Sequence, residues 1–323
     1  MTDVGADGPD PLRARAAIGG GGFGGIGSPR ALIGQGLDES DTHAVLDRCV
    51  ALGVTIVDTA YGYAAGASHR LIGRWLAADP ARRAQIAIVD KVGTVDGPNG
   101  LAVDLSRTSV VHCAAEGRAR MGIEAVDVLM THAPDPATPI RETLTALAEE
   151  VELGRARAWG VSNVDGDELT AWLDEAERLG APLPVIVENQ YSLLERGDED
   201  SVLPQCRRHG ITYLAFSPLA GGVLTGKYRR GEAPPAGSRL AQRPDTAGEL
   251  TSAVHDLIDA FVGRATERGV SPAALALGWV LAQPGVRPIA GARTPAHLDA
   301  LAEALDLRLT AADAEAVAAD LRG

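Results

Sequence analysis

The sequence predicts an α/β fold: a single-domain (β/α)8 barrel of the TIM type, with parallel strands inside and helices outside. Three observations predict it. Eight short β-rich runs recur along the 323 residues. Helical patterns lie between them. The runs are apolar without strict alternation, which suits strands buried on both faces. Strand–helix alternation implies a parallel sheet covered by helices, and eight such units in roughly 250 to 300 residues fit a closed barrel. A doubly wound open sheet is the competing arrangement.

The runs lie at residues 16–18, 55–58, 86–89, 126–130, 156–161, 185–187, 211–216 and 286–290. Between them, Val45, Cys49 and Leu52 repeat at helical spacing, as do Leu144, Leu147 and Val151, and Val254, Leu257, Ile258 and Phe261. Thr138-Pro139, Ser271-Pro272 and Thr294-Pro295 read as helix starts, and Gly154 and Gly180 as helix stops. No linker or long repeat divides the chain. The expected organisation is a flexible N-terminus over residues 1–14 and one barrel over 15–323. The one long irregular stretch, about residues 229–248, follows the seventh run, on the side where a barrel has its active face.

Composition narrows the function. Lys plus Arg is 30 and Asp plus Glu is 43, a net charge of −13, which argues against nucleic-acid binding because phosphate contacts need a basic face. Three cysteines without a CxxC pair argue against a disulfide scaffold or a thiolate zinc site and point to a reducing cytoplasm. No uninterrupted apolar stretch is long enough to span a membrane. The N-terminus lacks the basic and apolar regions of a signal peptide. Only two of the 30 basic residues are lysines, Lys91 and Lys227.

Two phosphate motifs fail on context. Residues 20–25 satisfy GxGxxG, but Ile26-Gly27-Ser28-Pro29 follows where a Rossmann helix should open. Residues 221–227 spell GxxxxGK, but Tyr228 stands where a magnesium-binding hydroxyl is needed.

Four polar residues stand at or just beyond three successive strand ends: Asp58, Tyr63 five residues on, Lys91 and His132. Singly, each has a structural explanation: a turn cap, a packing tyrosine, a satisfied histidine. Lys91 is the hardest to explain so, since this chain otherwise uses arginine and a guanidinium does not replace a compact ammonium. Together they would share one rim of a barrel, where catalytic groups gather. No HxH or other ligand cluster appears at the strand ends, so no metal site is expected.

The run Gly53-Val54-Thr55-Ile56-Val57-Asp58-Thr59-Ala60-Tyr61-Gly62-Tyr63, then Lys91, then Val128-Leu129-Met130-Thr131-His132, resembles the aldo-keto reductases. So do residues 159–163, 189–194, 216–219 and 288–293, and the resemblance extends from about residue 15 to 320. It implies a barrel that binds NADPH, with NADH possible, and reduces aldehydes or ketones or runs the reverse oxidation. It implies Tyr63 as proton donor, assisted by Lys91, Asp58 and His132. A free phenol ionises near pH ~10, and a neighbouring ammonium favours the phenolate. Tyr61 is the rival donor, but the family's spacing selects Tyr63.

For the cofactor the resemblance implies Ser162 and Asn163 at the nicotinamide carboxamide and Phe216 stacked on its ring. It implies Ser217, Leu219 and Gly221 around the pyrophosphate, and Arg293 at a 2′-phosphate. Three departures stand out. Glu188 occupies a glutamine position, with Asn189 and Gln190 as possible substitutes. His297 occupies an arginine position of the adenosine site, with Ala300-Leu301 in place of Glu-Asn. Ser68-His69 replaces Ser-Glu, with His69 expected on an exposed helix face. The pocket walls are expected from Phe23 and its glycine loop, Tyr61, the stretch after His132 and the 229–248 loop. A regulatory or subunit protein on the same fold, and a sugar or nucleotide-sugar ketoreductase, are the competing functions. A small-molecule carbonyl substrate is expected, whose identity the sequence leaves open together with the oligomeric state.

Overall fold

The computed structural model describes residues 11–97, 100–242 and 251–319. The elements run β1 (Ala17–Gly19), α1 (Glu39–Ala51), β2 (Ile56–Ala60), α2 (Ala67–Ala78), β3 (Ala87–Val92), β4 (Thr94–Gly97), β5 (Gly100–Val103) and α3 (Arg107–Met121). Then come β6 (Val126–Thr131), α4 (Ile140–Glu152), β7 (Ala156–Ser162), α5 (Gly166–Leu179), β8 (Ile186–Gln190), α6 (Val202–His209), β9 (Thr212–Phe216) and α7 (Arg239–Gln242). The chain continues through α8 (Ser252–Glu267), α9 (Pro272–Leu281), β10 (Val286–Ala290), α10 (Asp299–Leu307) and α11 (Ala311–Ala319). Eight strands pair as a closed barrel in the order β1-β2-β3-β6-β7-β8-β9-β10. The fold is the (β/α)8 barrel that strand–helix alternation predicts.

By contacts the chain groups into two compact units, Met1–Val187 with Gly291–Pro295 and Glu188–Ala290 with Ala296–Gly323. In the first, β1, β2, β3, β6 and β7 pair in parallel, with Gly19 opposite Asp58, Ala60 opposite Lys91 and Lys91 opposite Met130. β2, β3 and β6 are buried along their whole length, which is why these strands lack polar alternation. In the second, β9 and β10 pair in parallel with Tyr213 opposite Val286. There Tyr191 stacks on Trp279 with centroids 5.3 Å apart, and its hydroxyl donates to Glu199 at 2.8 Å. Burial pushes the phenols of Tyr191 and Tyr213 well above their usual range.

Local chemistry explains the element ends. Asp38 caps α1 by accepting from the Asp41 amide, and Asp165 with Glu168 closes a reciprocal capping box on α5. Ser271 caps α9 with Pro272 in its first turn. Gly180 ends α5 in the left-handed conformation that glycine adopts without a Cβ penalty. Three expectations change. Thr138 does not cap α4; it donates to Asp135, and Pro139 precedes the first turn. The run at 185–187 starts before its strand, which reaches Gln190. The hairpin β4–β5 follows β3 directly and left no apolar alternation to read.

Residues 1–10 of the N-terminal segment lie outside the described residues, as do 243–248 of the 229–248 stretch; Pro11–Arg13 forms a 3-10 turn. Among the described residues no helix is long and apolar enough to cross a membrane. Cys49, Cys113 and Cys206 are buried free thiols.

Candidate active site

Asp58 and Lys91 come from the adjacent strands β2 and β3, and their side chains meet in a buried ion pair, 4% and 1% exposed. Successive strand residues point to opposite faces. Their neighbours Thr59 and Asp90 bond to α2, outside the sheet, so Asp58 and Lys91 face inward. The Lys91 ammonium stands 5.4 Å from the centroid of the Tyr63 ring. The Tyr63 and His132 rings meet edge to face, with centroids 5.5 Å apart and planes at 85°. The first unit thus brings all four sequence-selected residues together.

Tyr63 is held by backbone on both sides. The Tyr61 amide donates to the Lys91 carbonyl at 2.8 Å, and the Ala64 amide to the Gly27 carbonyl at 2.9 Å. The Gly27 amide in turn donates to Gly21 at 2.7 Å. A Cβ on Gly21 would sit 3.6 Å from Tyr63 Cζ, so the glycine loop lies against the phenol. The chain leaves Tyr63 through a left-handed run, Ala64, Ala65 and Gly66, with φ of 48°, 50° and 80°. For the two alanines this costs roughly 1–2 kcal/mol each, borne by the contacts around them.

His132 follows β6, and its amide donates to the Val92 carbonyl at 2.9 Å. Burial, with a further push from the Lys91 ammonium, lowers its imidazole to about 3. The ring is therefore neutral at ordinary pH, and its buried Nδ1 has no hydrogen-bond partner among the described residues. Asn163 sits just past β7 with φ of 59° and donates Nδ2 to the His132 carbonyl at 2.8 Å and to Ser162 Oγ at 3.0 Å. Both amide protons are engaged, and Oδ1 is left as the acceptor. Arg293 follows β10 in the first unit and is half-buried.

In the second unit Glu188 lies buried in β8, 3% exposed. The neighbouring Asn189 donates its Nδ2 to Asp198 at 2.7 Å, and Gln190 is exposed. Phe216 ends β9 half-buried, and Ser217, Ala220, Gly221 and Gly222 follow with φ of 53°, 47°, 67° and 93°. Leu219 is half-buried within this loop, and His297 is exposed in the turn Pro295–Leu298.

Two expectations are corrected and one is resolved. Phe23 is no pocket wall: it is wholly buried, bridged by backbone to Leu37. Tyr61, expected to line the pocket or to pack, packs on α3, with the Arg120 guanidinium 4.6 Å from its ring centroid and His112 at its edge. His69 is not exposed: its Nε2 donates to Asp90 Oδ1 at 2.8 Å with both side chains at 0% exposure. A signal for this last pair existed. An aspartate inside a strand buried on both faces requires a buried partner. Among the described residues no group of His, Cys, Asp and Glu is placed to hold a metal ion.

The model of the Aldo/keto reductase family matches residues 17–320. A probable voltage-gated potassium channel subunit beta of Arabidopsis thaliana is 33% identical over 280 residues, covering 85% of each chain. An NADH-specific methylglyoxal reductase of Escherichia coli is 32% identical over 288 residues, 85% of this chain and 84% of that one. The solved glycerol dehydrogenase of Gluconobacter oxydans superposes with a TM-score of 0.80 at 27% identity, covering 95% of this chain and 91% of that one. With a matching family model over nearly its whole length and a closed parallel barrel, the chain belongs to the aldo/keto reductase family, the NAD(P)H-dependent oxidoreductases.

Proposed function

We propose that the protein reduces an aldehyde or ketone to an alcohol, or runs the reverse oxidation, with Tyr63 as the proton donor. The observation that carries this reading is the buried Asp58–Lys91 pair beside the Tyr63 ring. Reduction puts a hydride on carbon and a proton on oxygen. A bound reduced nicotinamide supplies the hydride. Tyr63 Oη gives the proton to the carbonyl oxygen as that oxygen gains charge. The Lys91 ammonium favours the phenolate left behind, and Asp58 fixes the ammonium and keeps it charged. His132, neutral, offers a ring nitrogen that orients the carbonyl by hydrogen bonding. Solvent then restores the phenol proton.

The cofactor residues follow the family resemblance, and the surroundings of several support it. Asn163 Oδ1 is an acceptor for the carboxamide NH2, and the Ser162 hydroxyl, which already accepts from Asn163, has its proton to give to the carboxamide oxygen. In the second unit Glu188 occupies the family's glutamine position with a carboxylate, which accepts from an amide NH2 and cannot donate. Phe216 offers an aromatic face. The left-handed backbone around Ser217, Leu219 and Gly221 suits peptide N–H groups facing phosphate oxygens. Arg293 and His297 would meet the 2′-phosphate and adenosine, with NADPH as the expected cofactor and NADH as the alternative. The substrate is a small-molecule carbonyl compound, and the expected compartment is the cytoplasm.

A second reading, a cofactor-binding subunit of a larger assembly, is favoured by the likeness to a probable potassium channel subunit beta. One experiment separates the two. Fluorescence titration with NADPH and NADH measures binding, and turnover is followed over a panel of aldehydes and ketones. Tyr63→Phe should lose turnover by roughly 10²-fold or more, the scale of positioned acid catalysis, with cofactor affinity unchanged. Binding without turnover in the native protein favours the subunit reading. Unchanged turnover in Tyr63→Phe removes Tyr63 as the proton donor.

A further inference from the structure

We propose that Ser68 and His69 form a two-residue clamp on the outer face of the barrel that positions Lys91 and Asp58 against Tyr63; this rests on the reading of that site as the catalytic one. The register makes the case. Thr59 on β2 and Asp90 on β3 are directly paired. Each adjoins a member of the ion pair: Thr59 follows Asp58 and Asp90 precedes Lys91. With a strand period of two, holding the outward pair fixes the height and tilt of the inward pair.

Consecutive residues of α2 hold that outward pair. Ser68 Oγ donates to the Gly20 carbonyl at 3.0 Å, so the 2.9 Å contact with Thr59 Oγ1 is a hydrogen bond donated by the threonine. His69 Nε2 donates to Asp90 Oδ1 at 2.8 Å. Thr59, Ser68, His69 and Asp90 are all at 0% exposure. The Ser68 bond also anchors Gly20, and its neighbour Gly21 lies against Tyr63. The start of one helix therefore touches the backbone supports of Asp58, Lys91 and Tyr63.

Packing alone does not account for these groups. Apolar side chains would join α2 to β2 and β3 without desolvating a carboxylate and an imidazole. Directional bonds add position, because each fixes a distance and an angle. The neighbouring helix is shaped around the clamp. Gly117 of α3 has no Cβ, and one there would lie 2.5 Å from Asp90 Oδ2 and 3.1 Å from His69 Cε1. Cys113 of the same helix is a buried free thiol in hydrogen-bond contact with Ser109 Oγ. His69 and Ser68 touch no reacting atom, so they are positioning residues.

The chain has two lysines, so lysine labelled with 13C at Cε gives two signals, and Lys227→Arg assigns them. The variants Ser68→Ala, His69→Leu and His69→Gln are compared with the native protein, each checked for folding by circular dichroism. His69→Leu and Ser68→Ala should shift the Lys91 signal and change its response to pH. His69→Gln keeps an N–H donor for Asp90 but loses the ring, so a native-like Lys91 signal there shows that the hydrogen bond matters. In the first two variants kcat should fall by about tenfold to a hundredfold, the effect of misplacing a catalytic group, with KM unchanged. A Lys91 signal identical to the native one in folded His69→Leu and Ser68→Ala overturns the proposal, whatever happens to Tm. If His69→Leu does not fold, Ser68→Ala decides alone. If the native protein turns over no carbonyl while the Lys91 signal moves as expected, the clamp stands and the catalytic reading fails.

Discussion

The rings of Tyr63 and His132 meet edge to face, with centroids 5.5 Å apart and planes at 85°, and the imidazole in this contact is neutral. Its titration, lowered to about 3 by burial and by the Lys91 ammonium, gives a pH dependence with a definite sign. The unfolded chain takes up the proton near pH ~6.5, whereas the folded chain does so only at far lower pH. Below ~6.5 the unfolded state binds more protons, so the stability due to this group is present above that value and is lost as pH falls. Between pH 7 and 5 the loss should be about 2 kcal/mol. Urea unfolding of the native protein and of His132→Gln at both pH values checks this. The variant should lose correspondingly less, and turnover should show no limb from His132 between pH 5 and 8.

Lys91 and Asp58 are a buried ion pair, so removing one partner leaves the other charge without its counterion. Lys91→Met should destabilise the fold by about 3–5 kcal/mol, and the double variant Asp58→Asn with Lys91→Met should regain much of that. Lys91→Arg should also be poor, because a guanidinium overfills a site shaped for an ammonium. Denaturant midpoints of the native protein, Asp58→Asn, Lys91→Met and the double variant test the coupling. Independent, additive losses would show that the pair does not act as a unit.

Much of this arrangement was legible in the chain. Asp58, Lys91 and His132 lie in or beside apolar runs, where a charge has no reason to be unless it has a task or a partner. The order of eight runs pointed to the barrel over an open sheet, and the burial of β2, β3 and β6 along their whole length is why those runs read as apolar without alternation. What was not legible depends on facing direction. His69 falls on α2 between Ser68 and Arg70, and only the packing of that helix shows that the first two are buried and the third is exposed. Phe23 reads as a loop aromatic, yet the glycines around it fold it into the core. The hairpin β4–β5 is short and partly exposed, so hydrophobic periodicity carried no trace of it.

Two helical glycines should respond oppositely to alanine. Gly263 of α8 is exposed, and a Cβ there meets nothing within 4 Å. Gly263→Ala should stabilise by up to about 1 kcal/mol through helix propensity. Gly117 of α3 gains the same propensity but would drive its Cβ into Asp90 Oδ2. Overpacking costs roughly 1–3 kcal/mol, so Gly117→Ala should destabilise overall. Thermal unfolding of the two variants side by side tests both signs, and a stabilised Gly117→Ala would mean that Asp90 and His69 have room to move.

Asn163 joins the end of β7 to the carbonyl of His132 from a left-handed backbone, so its substitutions separate three effects. Asn163→Gly keeps the backbone conformation at no steric cost but loses both hydrogen bonds. Asn163→Ala loses the bonds and pays a further 1–2 kcal/mol, roughly, for a Cβ in that conformation. Asn163→Asp keeps the shape, but its carboxylate cannot donate and faces the His132 carbonyl oxygen as a second acceptor. Stability should therefore be lower than native in all three, with Asn163→Ala below Asn163→Gly and Asn163→Asp down by about 1–3 kcal/mol from the unmade bonds. All three should weaken nicotinamide cofactor binding, except that Asn163→Asp, which keeps an acceptor oxygen for the carboxamide, should weaken it least. Thermal unfolding and cofactor titration on the same samples check both orders. Equal cofactor affinity in Asn163→Asp and Asn163→Ala would remove the Oδ1 acceptor from the binding scheme while leaving its structural role intact.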